Sequence, residues 1–548
     1  MIFFGENMLK TLCRALASVA VLTITATGCT PGDASRYPVT ADLPSELPRP
    51  SIPYLAAETT QGDSRPNIIL IVADDMRADD MKNMPKTRRL LAGTGIEFTD
   101  ALSPHPLCCP ARAEYLTGQY AHNNGVHHNT GPHGGYPALI NKTDTIGTWL
   151  QESGYQTAFV GKFLNGYSQQ PEAAAGWTRW NPSIDGTYSF NRTTFYNDGE
   201  PATYTSQADD VAAAFTRLYI KDFAKHPQPF FIWTSNVSPH IRATPQGWKQ
   251  PLPSERHKNA YPDLQPPSKN DPAYLNPRKP VIPSEVEYGE VRDSHLTEQH
   301  RARTRSNLTI DDEVASIIAT LKKTDELDNT IIMFTSDNGF MLGEHHRLGK
   351  NKPYEEAMRV PLLIRAGKDI NPDQNPRATT LPATTTDITP TILDLADATP
   401  RRLLDGVSFA AAITGDLTET EQRWRNVQLI QAGRDYLTEQ EAAAGDKGWK
   451  WRGVRTSRYT LAFTPTPEGD VPDELTDPFL IDRETDPYEL INRAEDPAYS
   501  DVLQTLTQQA GYLFRCTGSS CSSNLGETPQ PNLTAESTSE AETDGVTP

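Results

Sequence analysis

From Asn67 to Ala73 the chain reads NIILIVA, an unbroken apolar run that stops at Asp74-Asp75. A strand with one wet face would alternate; a continuous run predicts a strand covered on both faces, as in a parallel sheet. The same character returns in YQTAFVG (155–161), PFFIWTSN (229–236), TIIMFTSDNG (330–339) and VPLLIRA (360–366). Helical patterns lie between them. TDTIGTWLQESG offers Thr143 or Thr145 as N-cap and Gly154 as stop, and LTIDDEVASIIATLKKTDELDN (308–329) spaces its apolar residues by three and four. Strand and helix in alternation predict an α/β domain with a mostly parallel sheet. Reactive groups in such sheets gather at the carboxyl ends of strands. Asp74, Asp75, Lys162, His240, Asp337 and Asn338 all fall just after a predicted strand.

The pattern also divides the chain. Residues 30–65 are rich in Pro, Ser and Thr, without helical or strand period, and read as a tether. The α/β domain is expected over 66–380. Residues 241–300 are polar and proline-rich, too long for a simple connection, and read as a substrate-facing excursion. WRGVRTSRYTLAFT and DPFLIDRETDPYELIN predict short antiparallel strands, hence a smaller C-terminal α+β subdomain over 381–521. Residues 522–548 read as a disordered acidic tail.

Composition narrows the partners. With 548 residues, 37% of them hydrophobic, the chain can build a large core. A net charge of −19 argues against nucleic acid and against an anionic membrane surface. An anionic substrate would therefore need a locally cationic pocket. Lys10 and Arg14 precede ALASVAVLTITATG, an apolar run too short for a comfortable membrane span, so residues 1–29 read as an export signal. Ala26-Thr27-Gly28-Cys29 resembles a bacterial lipobox. It makes Cys29 a lipidation candidate, anchoring the protein at a cell surface; a plain secretory signal is the alternative. Either way the context is oxidising, and Cys516 and Cys521 in RCTGSSC are spaced for a small disulfide loop.

Outside the export signal two cysteines remain, side by side in LCCPARAEYLTG (107–118). Adjacent cysteines rarely bridge each other and lack the paired spacing of a zinc site. Small buried apolar residues are the bland alternative. Arg112 lies one turn after Cys108 if a helix starts at Pro110, with the helix N-terminus facing an anion. Asp74, Asp75, Asp337 and Asn338 offer hard oxygen donors that suit Ca²⁺ or Mg²⁺ rather than zinc. A single such pair is ordinarily a loop or cap signal; two pairs after strands of the same type point to a cation. Lys162 and Lys350 are candidate anion holders, and His240 could move a proton near neutral pH.

Cys108-Cys109-Pro110-Ala111-Arg112 with Leu116-Thr117-Gly118 resembles the signature of type I sulfatases, and only Cys108 has the right offset. The similarity runs over roughly residues 65–515 and includes the aspartate pair, the GK segment, the PH, SDNG, and GK-x-x-x-YE before a VP strand. The resemblance implies an alkaline-phosphatase-like fold. It implies that Cys108 is converted by a formylglycine-generating enzyme to an aldehyde, whose hydrate attacks the sulfur of a sulfate ester. Asp74, Asp75, Asp337 and Asn338 would bind Ca²⁺ together with residue 108, Mg²⁺ being the alternative. Arg112 would hold the hydrate, and Lys162 and Lys350 the sulfate. His240 would protonate the leaving oxygen, and Cys109 is a bystander. One position departs from the family: Leu164 stands where many sulfatases have histidine, leaving His127 or His128 in GVHHN as the candidate base. GKFLN is similar to glucosamine-6-sulfatase-like members, so the expected substrate is a sulfated sugar such as N-acetylglucosamine 6-sulfate, or a sulfated glycan or aryl sulfate. A phosphomonoester or phosphonate ester hydrolase is the rival enzyme, and a surface lipoprotein that only binds sulfated ligands the rival of another kind.

Overall fold

The computed structural model describes residues 37–48, 63–169, 173–275, 292–434 and 436–533. The export signal, Cys29, most of the tether and the tail beyond residue 533 lie outside the described residues. Four strands form the centre: β1 (Asn67–Ala73), β2 (Gln156–Gly161), β3 (Phe230–Ser235) and β4 (Thr330–Ser336). They run parallel in the order β2-β3-β1-β4 within an eleven-stranded sheet. β5 (Leu362–Arg365) closes onto β4 antiparallel.

The unbroken apolar run of β1 has a direct cause. Ile68, Leu70 and Val72 pack into one core layer, with Phe231, Trp233 and Trp149. Ile69, Ile71 and Ala73 point the other way, against Phe215 of α2 (Ala208–Phe223) and Ile310, Val314 and Ile317 of α3 (Asp293–Lys323). Side chains alternate across a strand, so both registers must be apolar when both faces are covered. Truncating Ile69 or Ile71 to Ala would cost about 2–5 kcal/mol by leaving a cavity that a close-packed sheet cannot collapse.

Three boundaries differ from the sequence reading. α3 begins at Asp293, fifteen or so residues before its apolar period becomes regular, because its first turns are exposed and polar on most sides. The 241–300 excursion is therefore partly helical, and it also holds a hairpin, Arg242–Thr244 with Gly247–Lys249. Within the tether, Val39–Thr40 pairs as an edge strand with Ala202–Tyr204. The start of the tail docks as well: the Leu525 amide donates to Asn426 Oδ1 (3.1 Å) and the Asn532 amide to the Ala498 carbonyl (2.8 Å).

The C-terminal part is an antiparallel sheet in the order Gln428–Gly433, Trp449–Arg455, Tyr459–Thr464, Thr476–Asp482. Helix Ser500–Leu513 covers one face through Val502, Leu506 and Leu513. The other face, with Ile430, Trp451 and Phe479, packs on Met341, Tyr354 and Met358. That contact brings the second sheet against the loop carrying Lys350. Cys516 and Cys521 form the expected disulfide, with S–S 2.01 Å.

Candidate active site

The carboxyl ends of β1 and β4 lie side by side, so Asp74-Asp75 and Asp337-Asn338 meet by register alone. The Asp337 amide donates to the Ala73 carbonyl (3.2 Å), and the Asp75 amide donates to Asp337 Oδ1 (3.1 Å). Asn338 Nδ2 donates to Asp75 Oδ1 (2.8 Å). All four residues are buried. Glycines let the neighbouring chains come this close. A Cβ on Gly339 would sit 2.3 Å from the Glu356 carbonyl oxygen, and one on Gly161 would sit 1.9 Å from that of Ser235.

Helix α1 (Cys108–Thr117) starts at Cys108, two residues earlier than Pro110 suggests. Proline at the third helical position loses nothing, since the first-turn amides have no intrahelical partner. Gly118, at φ 64°, ends the helix in the left-handed conformation that favours glycine. Cys108 is thus held rigidly at a buried helix start. Its thiol donates to Asp74 Oδ1 (3.4 Å), and Lys350 Nζ donates to its sulfur (2.8 Å). Lys162 Nζ pairs with Asp74 Oδ2 (2.5 Å), and Lys350 pairs with Asp75. His240 Nε2 is 3.8 Å from Asp75 Oδ2, while its Nδ1–H donates to the Ile241 carbonyl (2.7 Å). Arg112 Nε binds Asp337 Oδ2 (2.9 Å), and Nη1 donates to the Lys162 carbonyl (2.8 Å). Its Nη2 is buried without a partner.

Every residue expected at the centre is therefore gathered in one buried cluster. Burial alone would raise Asp74, but Lys162, His240 and Lys350 hold it well below the usual carboxylate range. Burial and the neighbouring Asp74 charge push Asp337 up to about 6 despite Arg112. Burial, aided by Asp74, pushes the Cys108 thiol up to about 12. Burial lowers His240 to about 4 against the pull of Asp74 and Asp75.

The donor set fits a hard divalent cation. Asp74, Asp75, Cys108 and His240 offer ligand atoms all within 4.8 Å of one another. Asn338 Oδ1 is buried and has no hydrogen-bond partner, the condition of an amide oxygen aimed at a cation. Lys162 and Lys350 pair with two of these carboxylates.

The remaining expectations fall elsewhere. Leu164 is buried in the core. His127 Nδ1–H donates to the Lys447 carbonyl (2.7 Å), and its ring stacks on Trp449 (4.1 Å), so it faces the C-terminal sheet. His128 is half-buried beside it, bridging Gly134 through the backbone. Within GVHHN the side chain that reaches the cysteine pair is Asn129, whose Oδ1 accepts from the Cys109 amide (2.8 Å). Cys109 Sγ accepts from the Asn165 amide (3.3 Å), a packing role.

Sequence reasoning missed three supports. Arg303 on α3 donates to the Asp75 carbonyl (2.5 Å) and the Pro239 carbonyl (3.3 Å), tying the aspartate turn to the turn before His240. Its only signal was an arginine between the proline-rich excursion of 241–300 and the helical pattern that starts at Leu308. Tyr188 lies against His240 (4.5 Å between rings) and under Lys162 Nζ (4.9 Å). Asn351 fixes the Lys350 loop: its amide donates to the Pro106 carbonyl (2.9 Å), its Nδ2 to the Gly433 carbonyl (3.0 Å), and its carbonyl accepts from Trp451 Nε1 (3.2 Å).

Residues 66–398 match the family described as Sulfatase, and residues 343–513 match N-sulphoglucosamine sulphohydrolase, C-terminal. Human N-acetylglucosamine-6-sulfatase is 31% identical over 394 residues, which are 68% of this chain and 68% of that protein. Against two other curated relatives the chain spans only 53% and 61% of their length. A protein solved in complex with its substrate D-glucosamine-2-N,6-O-disulfate superposes with TM-score 0.64 at 22% identity, covering 81% of this chain and 97% of that one. Phosphonate monoester hydrolase of Agrobacterium radiobacter superposes with TM-score 0.58 at 21% identity, over 81% and 94%. These likenesses establish the alkaline-phosphatase-like fold expected from the sequence, a mostly parallel sheet with a smaller antiparallel sheet behind it.

Proposed function

This chain belongs to the sulfatase family, and on that premise we propose that it is a sulfuric ester hydrolase whose substrate is a sulfated sugar of the N-acetylglucosamine 6-sulfate type. The observation that carries the reading is the setting of Cys108. It begins a buried helix, touches Asp74 and Lys350, and lies among two lysines, an arginine and a histidine. Conversion of Cys108 to formylglycine by a maturation enzyme would supply an aldehyde hydrate as nucleophile. Asp74, Asp75, Asp337, Asn338 and residue 108 would hold a Ca²⁺ or Mg²⁺ ion, which would supply Lewis acidity at the nucleophile.

The chain's own side chains do the rest. Lys162 and Lys350 neutralise the sulfate oxygens as charge shifts onto them and the leaving oxygen. Arg112, with Nη2 unspent, orients residue 108 while it braces Asp337. His240 faces the open side, its tautomer fixed by the Ile241 carbonyl, and gives a proton to the leaving oxygen. An incoming anion beside the ring favours its charged form. His127 and His128 remain the candidate bases for completing turnover; unchanged turnover after replacing both would eliminate them. Residues 66–380 act as the catalytic unit, and 381–521 brace the Lys350 loop. The enzyme works outside the cytoplasm, exported by the N-terminal signal. Among the described residues no helix is long and apolar enough to cross a membrane.

The test is sulfate release from N-acetylglucosamine 6-sulfate by protein matured in its own host. The likeness to a phosphonate monoester hydrolase gives the rival reading its footing. Sulfate and phosphate esters of one phenol separate the two, with the sulfate ester expected to turn over faster.

A further inference from the structure

A cleft of about 550 Å³ opens directly onto the cluster, with Asp75, His240 and Lys350 at its inner end. Its volume is within the usual range for a small-molecule site. The outer wall is Trp248, on the short hairpin after His240. Trp248 is 57% exposed although its ring meets His240 and Tyr188 edge-on, both at 5.8 Å between centroids. Lys162, Tyr188, His240 and Trp248 thus form one continuous line, from the ammonium that would hold the sulfate out to a large open aromatic face. An indole left bare beside a catalytic cluster is the natural platform for the C–H face of a pyranose ring.

A second observation points to a ligand. Gln299, on α3, also lines the cleft; it is 4% exposed, and its Nε2 is buried with no hydrogen-bond partner. Leaving a buried amide donor unsatisfied costs about 1–3 kcal/mol, so a polar group from a ligand would be favoured there. Charge narrows the class further. Lys350 is already committed to Asp75 and Cys108. Beyond the catalytic cluster the ionisable residues of the wall, among the described residues, are Lys249, His295 and Glu298. The lysine is offset by Glu298, so a second sulfate or carboxylate on the sugar would meet no net positive charge there, next to buried Asp75 and on a chain of net charge −19.

We propose that this cleft is a subsite for a neutral pyranose carrying a single sulfate, with Trp248 stacking on its apolar face and Gln299 hydrogen-bonding a ring substituent. Trp248 and Gln299 are then specificity residues, and the inference rests on the sulfatase reading while narrowing its substrate. N-Acetylglucosamine 6-sulfate fits; the 2-N,6-O-disulfate of glucosamine does not.

The test is calorimetric binding to the Cys108→Ala protein, which needs no turnover. The probes are inorganic sulfate, N-acetylglucosamine 6-sulfate and D-glucosamine-2-N,6-O-disulfate. Trp248→Ala should weaken the monosulfated sugar roughly tenfold while leaving inorganic sulfate unchanged, and Trp248→Phe should recover part of the loss. Gln299→Leu should also weaken the sugar alone. The disulfate should bind roughly tenfold more weakly than the monosulfate. Equal loss of sulfate and sugar in Trp248→Ala would overturn the proposal, since the hairpin would then only support the sulfate pocket. So would a disulfate that binds as tightly as the monosulfate. Sugar binding as predicted, with no sulfate release by the mature wild type, would overturn the hydrolase reading and leave the subsite standing. Absence of binding by all three probes would overturn both.

Discussion

The two sides of the cluster are built in opposite ways. On one side Asp74, Asp75, Asp337 and Asn338 sit on strand ends whose positions are set by sheet register, and all are buried. On the other side Lys350, His240 and Trp248 come from loops, the first held by the C-terminal sheet and the last largely open to solvent. Backbone ladders fix atoms rigidly, which suits a cation and a nucleophile that must not move. Loops fix them less tightly but can be reshaped without disturbing the core. The comparison teaches where change is tolerated: little at the buried strand ends, more at the open end of the loop side, where Trp248 lies.

The largest break should come at the helix start. Cys108→Ala should abolish sulfate release, whereas Cys109→Ala, which removes only a contact to the Asn165 amide, should keep most of it. Equal loss in both would mean that the nucleophile is misassigned. Next come the strand ends. Asp337→Asn should lower kcat/KM by about a thousandfold, with weakened divalent-cation affinity measured by calorimetry, because a carboxylate and the anchor of Arg112 go together. Chelator treatment of the wild type should lower both activity and thermal stability, and added Ca²⁺ or Mg²⁺ should restore them.

On the loop side effects should be smaller and dependent on substrate. His240→Gln should cost about a hundredfold or more on a sugar sulfate but much less on an aryl sulfate, whose phenolate leaves without a proton. A loss of the same size on both would remove the proton-donor role. Asn351→Ala should cost about 1–3 kcal/mol of stability and roughly tenfold in activity. It loses the hydrogen bond to Gly433 and strains a backbone at φ 64°. Asn351→Gly relieves the strain alone, so recovery of stability without recovery of activity would assign the activity loss to the side chain's hold on the Lys350 loop.

Legibility in the sequence follows the same division. The β1 run, GK at Gly161-Lys162 and DNG at Asp337 to Gly339 were readable because register and close backbone approach demand those residue types in consecutive positions. Cys108 and Arg112 were readable through the resemblance, while the helix start moved because a proline within the first turn looks like its first residue. Arg303, Asn351 and Trp248 were not readable. Each has a partner at long sequence separation, Tyr188 in the case of Trp248, and comes from a stretch whose own pattern reads as ordinary polar loop or helix surface. The contacts that give them meaning exist only after folding.

The central claim is that Cys108 is the precursor of the nucleophile. The most direct measurement is the mass of the proteolytic peptide containing residue 108, from active protein purified out of its own host. The account predicts a species in which the Cys108 thiol has become an aldehyde, present in proportion to sulfate-releasing activity. Full activity from protein carrying only the unmodified cysteine would contradict it.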